Sequence, residues 1–160
     1  MSLSLSSSQV WTELEKELFA VLGMVTPKGQ ARTVGIVYIV RERKLYIGTG
    51  ADTWKARHVA TNPNVSLTVP IAKRIPLLPW IKIPAATITF SGTARLIPAD
   101  QADPELLSAV FQKQATDNAA LSGQVLIEVT PQGDFVTYGV GVPLMKMRTP
   151  ELARGRAPVA

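Results

Sequence analysis

The chain has 160 residues, no cysteine and one histidine, and its seventeen basic and twelve acidic residues give a net charge of +5 at pH 7. These numbers exclude a disulfide framework, thiolate chemistry, a cysteine metal site and, within one subunit, a polyhistidine metal centre. One compact domain is the default at this length, and the modest positive charge suits a small anionic ligand at least as well as nucleic acid.

The first residues predict a flexible arm followed by a helix. Residues 1–8 form a Ser/Leu segment with neither the basic start nor the apolar stretch of a signal peptide, so we expect a cytoplasmic protein. Residues 9–18 place Val10 and Leu14 on one apolar stripe, which is typical of an amphipathic helix, and Ser8 is the predicted N-cap.

Short β-branched and aromatic runs separated by turn residues then predict a meander of antiparallel strands. The predicted strands are residues 19–26, 31–40, 45–47, 65–69, 85–97, 125–129 and 135–140, with a turn at 131–133 joining the last two. Two further helices are predicted at 53–60 and from Asp103 to about Ala120. We therefore expect a mainly β (α+β) fold, in which an antiparallel barrel carries peripheral helices.

This reading divides the chain into three parts. Residues 1–8 are a flexible N-terminal arm, residues 9–142 form the barrel domain, and residues 143–160 are a basic C-terminal tail without a clear period. No internal repeat or domain linker is visible, so a single folded domain is expected.

The segment from Pro70 to Pro84, PIAKRIPLLPWIKIP, interrupts the strand pattern. Its prolines exclude a central strand or a helix, and its apolar window is too short and too interrupted to span a bilayer. Two interpretations stay open. The loop packs its apolar residues on the barrel or a partner subunit, or it forms a wall beside a ligand, with Trp80 and Lys82 on the substrate side.

The stretch from Leu45 to Val69 carries the most informative chemistry. A strand leads through small residues into a helix start, where Thr49, Thr53 and Lys55 cluster. Free N–H groups at a helix N-terminus, two hydroxyls and a lysine suit a phosphate group. A capped surface helix with solvated charges explains the same residues, so both interpretations remain open at this point.

The rest of the sequence gives little indication of another functional site. No phosphate-loop or dinucleotide-binding fingerprint is present, the carboxylates are scattered, and no catalytic residue or metal site is predicted. His58 follows Arg57 on the predicted helix, so we interpret it as a helix-surface or interface residue. Aromatic residues do not interleave with the basic ones, and we expect neither nucleic acid nor a membrane as a partner.

Residues 32–69 resemble the pyridoxamine phosphate oxidase-like family, the flavin-binding split β-barrel proteins. The family pattern is an arginine that opens the second strand, a threonine that ends a later strand, Ser/Thr-x-Lys at a helix start, and an asparagine-proline pair. The matching positions here are Arg32-Thr33-Val34, Thr49, Thr53-Trp54-Lys55 and Asn62-Pro63.

This resemblance implies an antiparallel split β-barrel that binds FMN and forms a homodimer. It implies that the FMN phosphate is held by Arg32, Thr49, Thr53 and Lys55, and that the backbone of residues 33–36 faces the flavin ring. The cofactor-binding residues assigned in this way are Arg32, Thr33, Val34, Thr49, Thr53, Trp54 and Lys55.

Two departures from the family pattern bear on activity. Val37 stands where the oxidase usually has a lysine, and Trp54 stands where it usually has an arginine before the helix lysine. The oxidase's C-terminal substrate motifs are also not visible. We therefore do not expect pyridoxamine phosphate oxidase activity, but a flavin-dependent oxidoreductase that transfers hydride to or from a small, hydrophobic organic substrate.

Three alternatives stay open. The first is a deazaflavin-dependent reductase, whose longer acidic cofactor would use a basic groove. The residues available for that groove are Lys73, Arg74, Lys82, Arg154 and Arg156. The second is a non-catalytic module that binds flavin or haem, with His58 as the available haem ligand, and the third is a cofactor-free dimer.

Overall fold

The computed structural model describes residues 3–75, 77–78, 80–81, 83–112 and 121–160. The strands within this part of the chain are β1 (Leu3–Ser4), β2 (Phe19–Val25), β3 (Ala31–Val37), β4 (Ile39–Arg41), β5 (Lys44–Gly50), β6 (Asn64–Ile71), β7 (Ala86–Pro98), β8 (Gln124–Tyr138) and β9 (Arg154–Pro158). The α-helices that lie wholly within the described residues are α1 (Ser7–Lys16), α2 (Trp54–Thr61), α3 (Pro104–Phe111) and α4 (Pro150–Ala153).

The described strands form one sheet in the order β1-β9-β8-β7-β6-β2-β3, and β5 adds to β8 and carries β4. Every pair is antiparallel except β1 with β9. The sheet curls into a half-barrel with the helices at its periphery, which confirms the predicted antiparallel split β-barrel.

The main core fills the curled sheet and is closed by α1. Trp11 of that helix is 3% exposed and meets the ring of Phe135 edge-on at 5.3 Å. The helix begins two residues earlier than predicted, because Ser6 rather than Ser8 is its N-cap and forms a capping box with Gln9. The buried Tyr38 hydroxyl donates to the Leu14 carbonyl at 2.8 Å.

Tyr38 also explains why the predicted strand at 31–40 is split. Its N–H donates to the Leu18 carbonyl, and its side chain is only 1% exposed beneath α1. Val37 ends β3, which pairs with β2, and Ile39 begins β4, which pairs with β5, so Tyr38 lies where the chain passes from one strand pair to the other.

A second apolar cluster lies where α3 packs against β5. Leu106 and Leu107 of the helix are buried with Tyr46 and Leu126. A Cβ atom at Gly48 would lie 2.6 Å from the Phe111 ring, so the glycine allows this close approach. The strand predicted at 45–47 is longer in the structure, since β5 runs on through Gly48 to Gly50. Of the predicted helix at 103–120, residues 113–120 lie outside the described residues.

The predicted turn at 131–133 is also absent, because β8 runs through it as one strand. Its register against β7 shifts between Thr89 and Ser91, and Gly133 has a φ of +72°. The Gly133 carbonyl accepts a hydrogen bond from the Val159 N–H. The residues that predict a turn therefore form a bulge, and pairing with β7 and β9 keeps the strand continuous.

The two ends of the chain lie together. Strand β1, from the predicted arm, pairs with β9, from the predicted tail, and β9 pairs with β8. The Trp11 indole N–H and the Ser7 hydroxyl both donate to the Val159 carbonyl. Within the described ranges, no helix has the length and apolar character needed to cross a membrane.

Candidate functional site

A pair of hydroxyl groups lies where β5 passes into α2. Thr53 is the N-cap of the helix, and its Oγ1 donates to the Gly50 carbonyl at 2.8 Å and accepts from the Ala56 N–H at 3.4 Å. The Oγ1 atoms of Thr49 and Thr53 are 3.1 Å apart, and Thr49 is only 6% exposed. The predicted helix start is therefore confirmed, and these contacts fix the positions of both hydroxyls.

The first turn of α2 offers donors for an anion. The N–H groups of Trp54 and Lys55 occupy helix positions that have no partner within a helix. No acidic residue lies in this first turn, and the half-buried Lys55 side chain lines a cleft beside it. The helix dipole adds to the attraction for negative charge, so this end of α2 suits a phosphate.

Arg32 reaches this same helix end from β3. Its Cζ lies 5.1 Å from the centre of the Trp54 ring, a cation–π distance. Trp54 packs on the main core, and its ring centre is 5.4 Å from that of His58. Trp54 thus covers the barrel end and carries Arg32 over its ring, whereas Arg32 and Lys55 line different clefts. We call Arg32, Thr49, Thr53 and Lys55 the α2 junction.

A cleft of about 320 Å³ lies between β3, β5 and α3. It is lined by Gly35 and Val37 from β3, by Tyr46 from β5, by Lys55 and by Phe111. Strand β3 is the last strand of the sheet, and its outer edge has no strand partner among the described residues. Free backbone groups therefore border the cleft on the side away from β2.

The other predicted site residues are placed differently. Thr33 is exposed and lines a separate shallow cleft with Arg32, whereas Val34 is half-buried against the main core. Trp80 is 73% exposed in the loop after β6 and does not line the cleft beside Lys55. Lys82 lies outside the described residues.

Strand β8 separates that loop from the α2 junction. Gly50, just before α2, pairs with Gln124 at the start of β8, whereas Tyr138 at its end pairs with Thr87, just after the loop. Within one chain, the loop and the junction therefore lie toward opposite ends of this strand.

His58 is less exposed than the sequence indicates. The residue is half-buried, and its Nδ1 atom is buried without a hydrogen-bond partner in the described part of the chain. Its ring faces Trp54 rather than a carboxylate. No group of ligand side chains suited to a metal ion occurs among the described residues.

Sequence reasoning missed a second polar group, on β5, β7 and β8. The carboxylate of Glu128, 5% exposed, accepts from Arg95 Nε at 2.6 Å and Nη2 at 3.2 Å, from the Tyr46 hydroxyl at 2.9 Å and from Lys44 Nζ at 3.3 Å. We call these four residues the Glu128 cluster. The available signal was a single acid within the apolar run 125–129.

These contacts shift two pKa values. Hydrogen bonding from Arg95, reinforced by Tyr46 and Lys44, holds the pKa of Glu128 below its ordinary value. Burial, together with the hydrogen bond to Glu128, raises the pKa of Tyr46 to about 12. The cluster is therefore an ionised carboxylate whose two oxygens are satisfied by protein donors.

Comparison with known proteins gives the family. Residues 7–135 match the family model described as pyridoxamine 5'-phosphate oxidase. No curated protein matches the sequence.

Three similar solved structures illustrate the fold. An F420 reductase has 21% identity and a TM-score of 0.54, over 78% of this chain and 93% of that one. General stress protein 26 of Bacillus anthracis str. Sterne has 17% identity and a TM-score of 0.55, over 82% of this chain and 91% of that one. HutZ, the heme storage protein of Vibrio cholerae, has 14% identity and a TM-score of 0.61, over 84% of this chain and 96% of that one. The family match, with this shared fold, shows that the chain belongs to the pyridoxamine 5'-phosphate oxidase-like family.

Proposed function

We propose that this protein is a homodimeric flavoprotein that binds FMN and transfers hydride to or from a small, hydrophobic organic substrate. The observation that carries the proposal is the α2 junction, where two hydroxyls are fixed at a helix N-terminus, Lys55 lines the adjoining cleft and Arg32 stacks on Trp54. The residues fit a phosphate, since hydroxyl, N–H and cationic donors are present and the first turn of α2 has no acid.

The cleft and β3 supply the place for the flavin ring. Unpaired backbone groups on the outer edge of β3 are donors and acceptors for ring heteroatoms, while Val37 and Phe111 offer apolar contact. When bound, the flavin supplies the hydride-transfer chemistry. The residues of this chain anchor the phosphate, orient the ring and exclude water, so no side chain acts as a strong acid or base.

A second protomer completes the proposed site. The cleft of about 320 Å³ is at the lower end of the size of ligand pockets, which bury most of their ligand. Val37 is 67% exposed on β3, and Phe19, whose ring lies over Gly35, is 47% exposed. A partner barrel packed against this apolar side would close the cleft, which supports a homodimer.

A deazaflavin such as F420 is the second candidate, and similarity to an F420 reductase favours it. The basic residues expected to hold its longer acidic tail are less suitable within one chain. Lys73 Nζ donates to the Val142 carbonyl at 2.8 Å, and Arg156 pairs with Asp134 at 3.3 Å. Both lie toward the end of β8 far from the α2 junction, which supports FMN as the leading candidate.

A haem-binding or storage role is a third candidate, favoured by similarity to HutZ. The half-buried His58 is the ligand that this chain offers, but its Nδ1 is buried and its ring packs beside Trp54. A cofactor-free dimer remains the alternative if no chromophore binds.

The test is the visible absorption spectrum of the purified protein, with the released cofactor identified by mass. We expect a flavin spectrum, or recovery of one when the apoprotein is titrated with FMN. In Arg32→Ala/Lys55→Ala, loss of two charge-assisted contacts should weaken FMN binding by about 100-fold or more, with unchanged thermal unfolding of the apoprotein.

A matched control is Lys28→Ala/Arg43→Ala, which removes the same charge from exposed turns. It should bind FMN as the unmodified protein does. Retention of yellow cofactor by the Arg32/Lys55 variant would mean that the site is elsewhere. A protein that binds neither FMN nor a deazaflavin would contradict the proposal, and a Soret band would favour the haem role.

A further inference from the structure

The positive charge of this chain is concentrated in two segments. Residues 70–86 and 139–154 contain six basic and one acidic residue, a net charge of +5 that equals the charge of the whole chain. The remainder of the sequence is therefore neutral overall. We call these two segments the basic end.

The fold joins the two segments. Lys73 Nζ donates to the Val142 carbonyl at 2.8 Å. A Cβ atom at Gly139 would lie 2.5 Å from the Met147 side chain and 3.3 Å from Ala86. The loop between β6 and β7 and the turn after β8 thus lie side by side, and Arg74, Lys146, Arg148 and Arg154 are all exposed there.

The same end exposes large apolar side chains. Leu77 is 87% exposed, Trp80 73%, Ile81 43% and Leu78 37%, all within five residues of one loop. Met145, on the neighbouring turn, is 76% exposed. Several large apolar side chains exposed in one loop among basic residues are uncommon on a water-exposed surface and mark a site of interaction.

We propose that the basic end docks on the surface of an anionic lipid bilayer. The leucine and tryptophan side chains of the loop enter the headgroup region, where the amphipathic indole ring is favoured. The exposed Arg74, Lys146 and Arg148 then contact lipid phosphates, as basic residues beside an apolar anchor do. That no helix among the described residues could span a membrane does not bear on this, because the contact lies in the plane of the surface.

The observations favour a bilayer over a second copy of the chain. A two-fold contact that packs this end against itself would bring together two copies of segments with a net charge of +5, which repel each other. The four prolines of residues 70–84 have no N–H group, so this loop is a poor strand for a partner sheet. A lipid surface supplies both the negative charge and the apolar layer.

The experiment is flotation of the full-length protein with vesicles of phosphatidylcholine, with or without phosphatidylglycerol. We expect binding only with the anionic lipid, weaker at high salt. A blue shift of tryptophan emission on binding should be lost in Leu77→Ser/Trp80→Ser, which should also bind at least tenfold more weakly.

Charge variants distinguish binding through the basic end from the general attraction of a cationic protein to anionic lipid. Arg74→Gln/Arg148→Gln should reduce binding by roughly tenfold or more, whereas Lys28→Gln/Arg43→Gln, with the same net charge, should bind nearly as well as the unmodified protein. The proposal would be overturned if both charge variants lost vesicle binding equally, or if Leu77→Ser/Trp80→Ser bound vesicles as the unmodified protein does. It would also be overturned if the unmodified protein did not bind anionic vesicles. A change of oligomeric state in Leu77→Ser/Trp80→Ser without vesicle binding would overturn it too, and would assign the loop to a second copy. Thermal unfolding checks that each variant is folded.

Discussion

The α2 junction and the Glu128 cluster differ in how their polar groups are satisfied, although β5 contributes to both. In the Glu128 cluster, each carboxylate oxygen accepts hydrogen bonds from two side-chain donors. In the α2 junction, the two hydroxyls bind each other and the backbone, and neither Arg32 nor Lys55 forms an ion pair with the residues described.

This difference separates a structural role from a binding role. A buried carboxylate that is satisfied by four donors has nothing left to offer a ligand, and its loss leaves the buried Tyr46 hydroxyl without an acceptor. A helix end with free N–H groups and unpaired cations gains most when an anion arrives. We therefore expect substitutions in the Glu128 cluster to change stability and substitutions in the α2 junction to change binding.

The largest expected effect on stability is that of Glu128→Ala. The buried Tyr46 hydroxyl loses its acceptor and a half-buried Lys44 loses its counter-charge, so the free energy of unfolding should fall by about 2–3 kcal/mol. Urea unfolding of the apoprotein measures this. FMN affinity should change little, in contrast to the Arg32/Lys55 variant.

Glu13→Ala is the matched control, since Glu13 pairs with Lys16 at 2.7 Å on the exposed face of α1. Loss of such a surface pair should cost less than about 0.5 kcal/mol. If the two alanine variants were equally stable, the Glu128 cluster would be no more than another surface ion pair.

The α2 junction and the Glu128 cluster also differ in how far the sequence predicts them. The start of α2 is encoded locally, because Thr53 is a good N-cap and an Asn-Pro pair follows the helix. The four positions of the α2 junction also lie within 24 residues of one another, and the family pattern fixes their spacing. Their roles as cofactor ligands stay a prediction.

The Glu128 cluster was not predictable, because its members come from three strands. Glu128 meets Arg95 across the β7–β8 ladder and Tyr46 across the β5–β8 ladder, and strand pairing cannot be derived from either stretch alone. Local signals were also overridden by packing: Gly48 lies within a strand where α3 approaches, and Gly133 makes a bulge rather than a turn.

A smaller effect is expected at the α2 junction from Thr53→Ala. Loss of the N-cap hydroxyl, which accepts from the Ala56 N–H, should lower stability by about 1 kcal/mol and should also weaken FMN binding. Thr53→Ser should restore both properties, because serine caps equally well. Thermal unfolding and FMN titration give the two readouts.

Thr61→Ala is the control within the same helix. The Thr61 hydroxyl donates to the Arg57 carbonyl near the C-terminus of α2, away from the junction. Its loss should leave FMN binding unchanged and alter stability by less than about 0.5 kcal/mol. A Thr53→Ala variant that binds FMN as tightly as Thr61→Ala does would remove Thr53 from the phosphate site.

The smallest expected effect is a dependence of stability on pH, specific to Glu128. Its folded-state pKa lies below the ordinary value because of hydrogen bonding from Arg95, so the unfolded chain binds more protons in acid. This contribution to stability is fully present above about pH 4.3, the ordinary glutamate value, and is lost as the pH falls through the lower folded-state pKa. Urea unfolding at pH 7 and at a series of values down to about pH 3 should therefore show the stability gap between the unmodified protein and Glu128→Gln narrowing in acid. A gap that stays constant would mean that the charge of Glu128 contributes nothing and that only its shape and hydrogen bonds hold β5 and β7 to β8.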